Sequence, residues 1–340
     1  MLRNSLLLGW AIAIFLGAVC VSSLADTASL TPQVPIVVPR VPGFFDYMEV
    51  DDKYRRLLVS HSGSRTLDII DLTTDTVARQ VDVGEAHGIA LDVKDGRYYI
   101  GTGRPSMVVD IQRKFMVKQN QIPMGGTIEA VAFDSKSDAL YADRADNGQV
   151  VVIDGQTRKI LTNITIGGAL EFVVYDPVSD RIYQNVVSTN VVAVIDPKTN
   201  AVVASWPAAP AQQLRGLAVD GATHRLFTAG GNGKLAVMDT TSGSVIAVVA
   251  IAPGVDQIDF DPGTKRIYCA SGTGLLSVVQ ETDTGAESLG DVTVPRHAHT
   301  VAVDPTTHNV WISYGAADND YVMKLVPASP SPSPAPSSST

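Results

Sequence analysis

Apolar and polar positions alternate along most of this chain in short runs of one recurring design. The stretches "RLLVSHSGSRTLDIID", "ALYADRADNGQVVVID", "RIYQNVVSTNVVAVID", "RLFTAGGNGKLAVMD" and "RIYCASGTGLLSVVQ" share it. A short apolar run leads into a polar loop rich in Gly, Asn and Ser, and a Val-rich run follows that usually ends in Asp. Runs of this length, rich in β-branched and aromatic residues and bounded by turn residues, read as strands. Another apolar run and a turn precede each copy, as in "VVYDPVSD", "IDFDPGTK" and "VAVDPTTH". The strands lie too close together for helices to intervene.

Aligned on the Asp that closes the earlier run, the copies start at Asp51, Asp92, Asp134, Asp176, Asp220, Asp261 and Asp304, at spacings of 41, 42, 42, 44, 41 and 43 residues. Seven positions after each anchor stands a large apolar side chain: Leu58, Tyr99, Tyr141, Tyr183, Phe227, Tyr268 and Trp311. Four strands in about 40–45 residues is the period of a propeller blade. The expectation is therefore an all-β, seven-bladed β-propeller of four-stranded blades. The seventh copy lacks a fourth strand, because the chain enters a Pro/Ser-rich segment after "DYVMKLVP". The unmatched piece "VPIVVPRVPG", Val34 to Gly43, supplies it, so the N-terminal strand closes the ring against the strand containing Tyr321 to Val326. Pro35 and Pro39 suit an outer edge, where a missing N–H is tolerated.

These repeats, with their "DP…RIY" opening, resemble the YVTN-type β-propeller repeat family of exported proteins. The resemblance covers nearly all of Val34 to Pro327 and implies the fold. The tetrapeptide itself is degenerate here, reading "LLVS", "YYIG", "LYAD", "IYQN", "LFTA", "IYCA" and "VWIS". No ligand residue carries over from the family, and the fold hosts binders, scaffolds and enzymes alike.

The N-terminus has the order of a secretory signal: Arg3, an uncharged apolar run from Leu6 to Val21, then Ser23-Leu24-Ala25 before Asp26. Cleavage after Ala25 is expected, giving a signal peptide over 1–25 and a short linker over 26–33. The propeller then spans 34–327, followed by a disordered tail over 328–340 ("PASPSPSPAPSSST" from Pro327). The rival reading is an uncleaved membrane anchor. Localisation is thus read as exported, periplasmic or extracellular, with no membrane span after cleavage. Cys20 leaves with the signal, so Cys269 is the one remaining thiol and forms no internal disulfide. In the strand pattern "KRIYCAS" it reads as buried and inert. Of 340 residues, 26 are Lys or Arg and 35 Asp or Glu, a formal charge of −9. Without Arg3 this becomes 25 basic against 35 acidic side chains, −10. So acidic a chain, without a basic run, has no general attraction for phosphate backbones, and no nucleic-acid partner is expected. A monomer is.

Residues present in every copy serve the blade. The anchor aspartates read as caps of the first turn, accepting backbone N–H bonds, and so do Asp71, Asp110, Asp154, Asp196 and Asp239 at the end of the third strand. His224 and His308 sit at equivalent turn positions and read as solvent-facing. Five residues before each anchor the pattern differs: Asp46, His87, Glu129, Glu171, Arg215, Asp256 and His299 are all ionisable, of changing identity. Two positions later the residues are uniformly apolar, from Met48 and Ile89 to Val301. The first strand of a blade lines the channel, so these seven are expected to ring one mouth. His61, Arg144, Asn185 and Tyr314 come from neighbouring loops, and His297 lies just outside. The ring reads as a solvated polar rim, as a site for a small ligand or partner, or as a metal centre. For a metal, His87, Glu129, Glu171 and His299 are the first candidates, since imidazole with carboxylate suits one divalent ion.

No catalytic motif of the G-x-S-x-G or H-E-x-x-H kind is present. "GTGRPS" and "GGNGK" lie between strands, where turns need Gly. The leading functional reading is a binding or scaffold protein, its face taking a small ligand, a cell-envelope component or a protein. The alternative is a metal-assisted lyase or lactone hydrolase at the same mouth, with His87 or His299 as base.

Overall fold

The computed structural model describes residues 28–39 and 43–328. The expected signal peptide and all but the first residue of the expected tail lie outside them. Seven antiparallel sheets stand in a ring, and their innermost strands are Tyr47–Asp51, Ala86–Asp92, Ile128–Asp134, Leu170–Asp176, Leu214–Asp220, Val255–Asp261 and Thr300–Val303. Each innermost strand packs against the next, and the seventh returns to the first. Within the first six blades the strands follow chain order from the channel outwards, as hairpin connections dictate, and in the seventh the first three do. No helix of the described residues is long and apolar enough to cross a membrane.

The core lies between blades rather than within one centre. Leu58, Tyr99, Tyr141, Tyr183, Phe227, Tyr268 and Trp311 are at most 1% exposed, so the aromatic register marks the inter-blade packing layer. Burial of each such side chain contributes roughly 1.5–3 kcal/mol. Cys269 packs in the same layer between blades 5 and 6, and burial pushes its thiol well above the ordinary range, which keeps it inert.

The anchor aspartates cap their turns. Asp134 accepts from Lys136 N at 2.8 Å, Asp176 from Val178 N at 2.9 Å and Asp304 from Thr306 N at 3.0 Å. Three of them also do something the repeat did not disclose, taking a cation from the next blade. Arg113 Nε donates to Asp51 at 2.6 Å, Arg55 Nη1 to Asp304 at 2.8 Å, and Lys265 reaches Asp220 at 3.4 Å. His308 does the same to Asp261 at 2.8 Å, so it is a half-buried inter-blade contact rather than a solvent-facing turn residue. His224 is exposed in a left-handed turn, as read. Asp110 needs a correction. It is buried, pairs with Arg158 at 2.8 Å, and caps nothing. The cap in that blade is Gln112, whose side-chain oxygen accepts from Phe115 N at 2.7 Å, because the third strand runs two residues past Asp110.

Ring closure comes from the N-terminal segment. Ile36–Val38 pairs antiparallel with Asp320–Pro327, in the register Ile36 with Val322 and Val38 with Asp320. Pairing begins earlier than expected, since Leu30–Pro32 also joins that strand, Leu30 opposite Pro327. The segment expected as a linker thus contributes a strand at Leu30–Pro32. Proline explains the break into two short strands: Pro35 stands between them without an N–H to offer the ladder. Val38 is 1% exposed and packs with Trp311, Val322 and Met48 between the last blade and the first.

Candidate functional site

All seven ionisable ring residues lie at the starts of innermost strands, and those strands run in one direction, so the ring gathers at one end of the channel. Blade spacing there is set by small residues. A Cβ on Gly88, next to His87, would lie 2.5 Å from Ala130 Cα. One on Gly216, next to Arg215, would lie 2.7 Å from Ile258 N. Neither position tolerates a side chain, and each lets a neighbouring blade bring its ring residue close.

The ring resolves into three groups. His87 Nδ1 donates to Asp46 and has Glu129 Oε2 at 3.3 Å. Arg215 Nη1 donates to Glu171 Oε2 at 2.9 Å. His299 Nδ1 lies 2.8 Å from Asp256 Oδ2. Burial opposes the charged form of His87, but the Asp46 hydrogen bond and the charges of Asp46, Glu129 and Glu85 outweigh it and raise the imidazole to about 9. His299 is raised in the same way, against burial, by Asp256 and Asp46. Desolvation lifts Glu129 to about 7, with His87 pulling the other way and Asp46, Asp143 and Asp256 adding to the rise. Glu171 goes to about 9 by desolvation, opposed by Arg215 and helped by Asp256 and Glu129. Five carboxylates from four blades thus feel one another at this mouth.

Several expected members stand elsewhere. His61 is fully buried between the first and last blades. Its Nδ1 lies 2.8 Å from Asp68 and its Nε2 2.8 Å from Asp320, so it fastens the closure and does not face the mouth. Arg144 turns to Gln149, donating at 2.9 Å, and forms no ion pair with the ring among the described residues. Asn185 donates to Arg215 O at 2.7 Å and so sets the start of the fifth innermost strand. Tyr314 stacks on Tyr321, ring centres 5.2 Å apart. His297 is exposed and lines a side groove with His299, Phe44 and Ala316. The four candidate metal ligands do not share a centre: Glu171 is held by Arg215 and His299 by Asp256, which leaves Asp46 as the partner of His87 and Glu129.

Beneath the ring the channel is interrupted. Tyr47 of the first blade and Phe172 of the fourth meet across it, ring centres 5.3 Å apart. Phe172 has φ 42°, a left-handed conformation rare for an aromatic residue, at the irregularity between Glu171 and Val173 in its strand. That irregularity turns the ring inwards. The mouth is therefore a blind cup with an aromatic floor. Below lies a separate cavity of about 570 Å³, lined by Tyr47, Ile89, Val131, Val174, Leu217 and Asp259 among others, and none of the seven ring residues lines it.

That cavity holds two carboxylates the sequence reading passed over, Glu49 and Asp259. The signal was available: three positions after the ring residues, Glu49 and Asp259 stand where the other blades have Ala90, Ala132, Val174, Ala218 and Ala302. Desolvation, then Asp259 and Asp51, raises Glu49 to about 8, and desolvation raises Asp259 to about 7 despite hydrogen bonds from Val303 N and Phe260 N. Both folded values lie above the unfolded ones, so the native state binds the extra protons and stability falls as pH rises from about 4.5 to 8. After allowance for solvent in the channel, the loss between pH 5.5 and 8 is on the order of 2–3 kcal/mol. The melting temperature should be about 3–5 °C higher at pH 5.5 than at pH 8. Glu49→Gln should raise the value at pH 8 and flatten the profile. A melting temperature that climbs with pH over this range would contradict the assignment.

No protein-family model matches this chain, and no curated protein matches it in sequence. Solved structures do resemble it. A chain of a mitotic checkpoint complex is 12% identical, with a TM-score of 0.74 over 96% of this chain and 100% of that one. A chain of Kuenenia stuttgartiensis hydrazine synthase is 12% identical, with a TM-score of 0.73 over 86% of this chain and 97% of that one. At such identity the likeness speaks to architecture alone, and that architecture is a seven-bladed β-propeller.

Proposed function

We propose that this chain is an exported binding protein of the YVTN-repeat kind that holds a small, positively charged ligand in the cup at its channel mouth. The observation that carries the reading is the convergence of Asp46, Glu129, Glu171 and Asp256 with His87, Arg215 and His299 above the Tyr47–Phe172 floor. Four acidic groups face one guanidinium and two imidazoles that their carboxylate partners keep protonated at neutral pH, so a cationic ligand enters by displacing protons and binds more tightly as pH rises. A concave, poorly solvated site of this kind focuses its field on cations. The aromatic floor adds a face for a cation or an alkyl chain. Export rests on the N-terminal pattern, and family membership on the repeat residues.

Calorimetric titration of the EDTA-treated protein with 1,4-diaminobutane, lysine and arginine tests the reading. At least one of these should bind, and the double variant Glu171→Gln with Asp256→Asn should weaken it by about tenfold or more, the scale of one lost charge pair in a partly desolvated site. Equal binding by that variant, or no binding of any of the three to the parent chain, would remove the cup as the site.

A further inference from the structure

We propose that Asp46, His87 and Glu129 form a three-ligand site for one divalent transition-metal ion of the zinc class. The inference rests on the cup being the binding surface and names the chemistry of one of its walls. The three residues come from three consecutive blades at one register, so the fold itself brings them together. Their donor atoms all lie within 4.8 Å of one another. His87 Nδ1 and Glu129 Oε2 are 3.3 Å apart, and ligands bound to zinc at 2.0–2.1 Å in a tetrahedron are separated by about 3.3 Å along each edge. Asp46, which now touches His87 directly, draws back to reach the same spacing.

Hydrogen bonding leaves the group incomplete without such an ion. Two carboxylates face a single imidazole nitrogen, whose one proton satisfies Asp46. The Glu129 carboxylate accepts no hydrogen bond among the described residues, and its side chain is only 26% exposed. His87 itself is 7% exposed, and its second nitrogen, Nε2, is buried without a partner. A divalent ion in place of the shared proton engages both carboxylates and leaves the group electrically neutral. On the far side of the ring lies Glu85. A Cβ on Gly103 would sit 2.9 Å from His87 Nε2 and 3.0 Å from Glu85 Oε2, so these two atoms are no more than about 6 Å apart. A ligating histidine ordinarily gives its other N–H to a carboxylate, and a small rotation of Glu85 supplies one. From behind, buried Asp143 holds Glu129 N at 3.1 Å and Ala130 N at 2.7 Å, which fixes the backbone that presents Glu129. Three protein ligands with imidazole and carboxylate donors leave a fourth position open towards the cup, the pattern of sites that bind or activate a further ligand.

The test is Zn²⁺ and Co²⁺ titration of the EDTA-stripped full chain, read by calorimetry, by elemental analysis and by the visible absorption of bound Co²⁺. One equivalent should bind. His87→Gln and Glu129→Gln should each weaken it by roughly 100-fold or more, since even outer partners of such ligands cost 10–100-fold. Glu287→Gln, on the exposed outer strand of the sixth blade, should leave affinity within about threefold. Melting curves of both ligand variants identify any loss due to unfolding, and Glu129, free of side-chain hydrogen bonds, is the safer of the two. Unchanged zinc affinity in Glu129→Gln would overturn the site. So would binding lost instead in Asp138→Asn, which would place the ion in the acidic turn group of Asp92, Asp95 and Asp138. Amine binding retained by a protein that takes no metal defeats this proposal and leaves the cationic-ligand reading intact. The converse result separates them the other way.

Discussion

A chain starting at residue 39 should not form a closed, monomeric ring, whereas one starting at residue 28 should. The shorter chain loses both closing strands, Leu30–Pro32 and Ile36–Val38, and exposes the whole edge of Asp320–Pro327. Buried Val38 alone contributes about 1.5–3 kcal/mol, and each lost ladder bond a further 0.5–1.5 kcal/mol. The total is on the order of 5 kcal/mol or more, a large share of the 5–15 kcal/mol that holds a domain folded. An open, apolar edge also recruits other chains. Size-exclusion chromatography of the two chains, side by side, should show aggregate for the shorter and monomer for the longer. A synthetic peptide spanning residues 28–39, added in trans, should restore the monomer in proportion to its concentration. A shorter chain that is monomeric and melts at the same temperature would mean that the ring closes by other contacts.

His61→Ala should be the most damaging single substitution near the closure. His61 is fully buried with a carboxylate at each ring nitrogen, Asp68 of its own blade and Asp320 of the last. Phe45 covers it, ring centres 4.3 Å apart. Thr66 and Gln80 support Asp68 at 2.8 and 2.9 Å, and Gly43 N supports Asp320 at 2.7 Å. One oxygen of Asp320 is already buried without a partner. Removing the imidazole leaves two acidic groups buried without their shared donor, and breaking a buried pair in this way costs about 3–5 kcal/mol. For a protein of this size the melting temperature should fall by roughly 5–8 °C. A fall of about 1 °C or less would show that water replaces the ring without loss, and the latch would be dispensable.

The architecture was legible because it is repeated. A period of 41–44 residues with an aromatic at a constant offset survives any single degenerate copy, and seven copies vote on one answer. The polar start of the innermost strands was legible for the same reason. What a repeat hides is pairing across it. His61 looked like a mouth residue because its place in the blade resembles that of Arg144, and nothing local announces that Asp320, 259 positions away, lies against it. Within the ring the sequence offered seven ionisable groups of equal standing. Which ones meet depends on the glycine at 88, which draws the third blade towards His87, and on Arg215 taking Glu171 out of reach of His87. The Tyr47–Phe172 floor depends on a strand irregularity, a feature with no composition of its own.

The closing strand also orders events in time. It is made before the innermost strand of the first blade, yet its partner, Asp320–Pro327, follows every other strand of the ring, nearly three hundred residues later. Contacts so distant in sequence form late and slowly. Through the synthesis of seven blades this segment waits without a sheet to join. Its prolines, Pro32, Pro35 and Pro39, then have a second meaning: a strand that lacks several N–H donors is a poor template for the wrong neighbour while it waits. The residues that make the final blade irregular are the same ones that keep its missing strand available until the ring is ready to receive it.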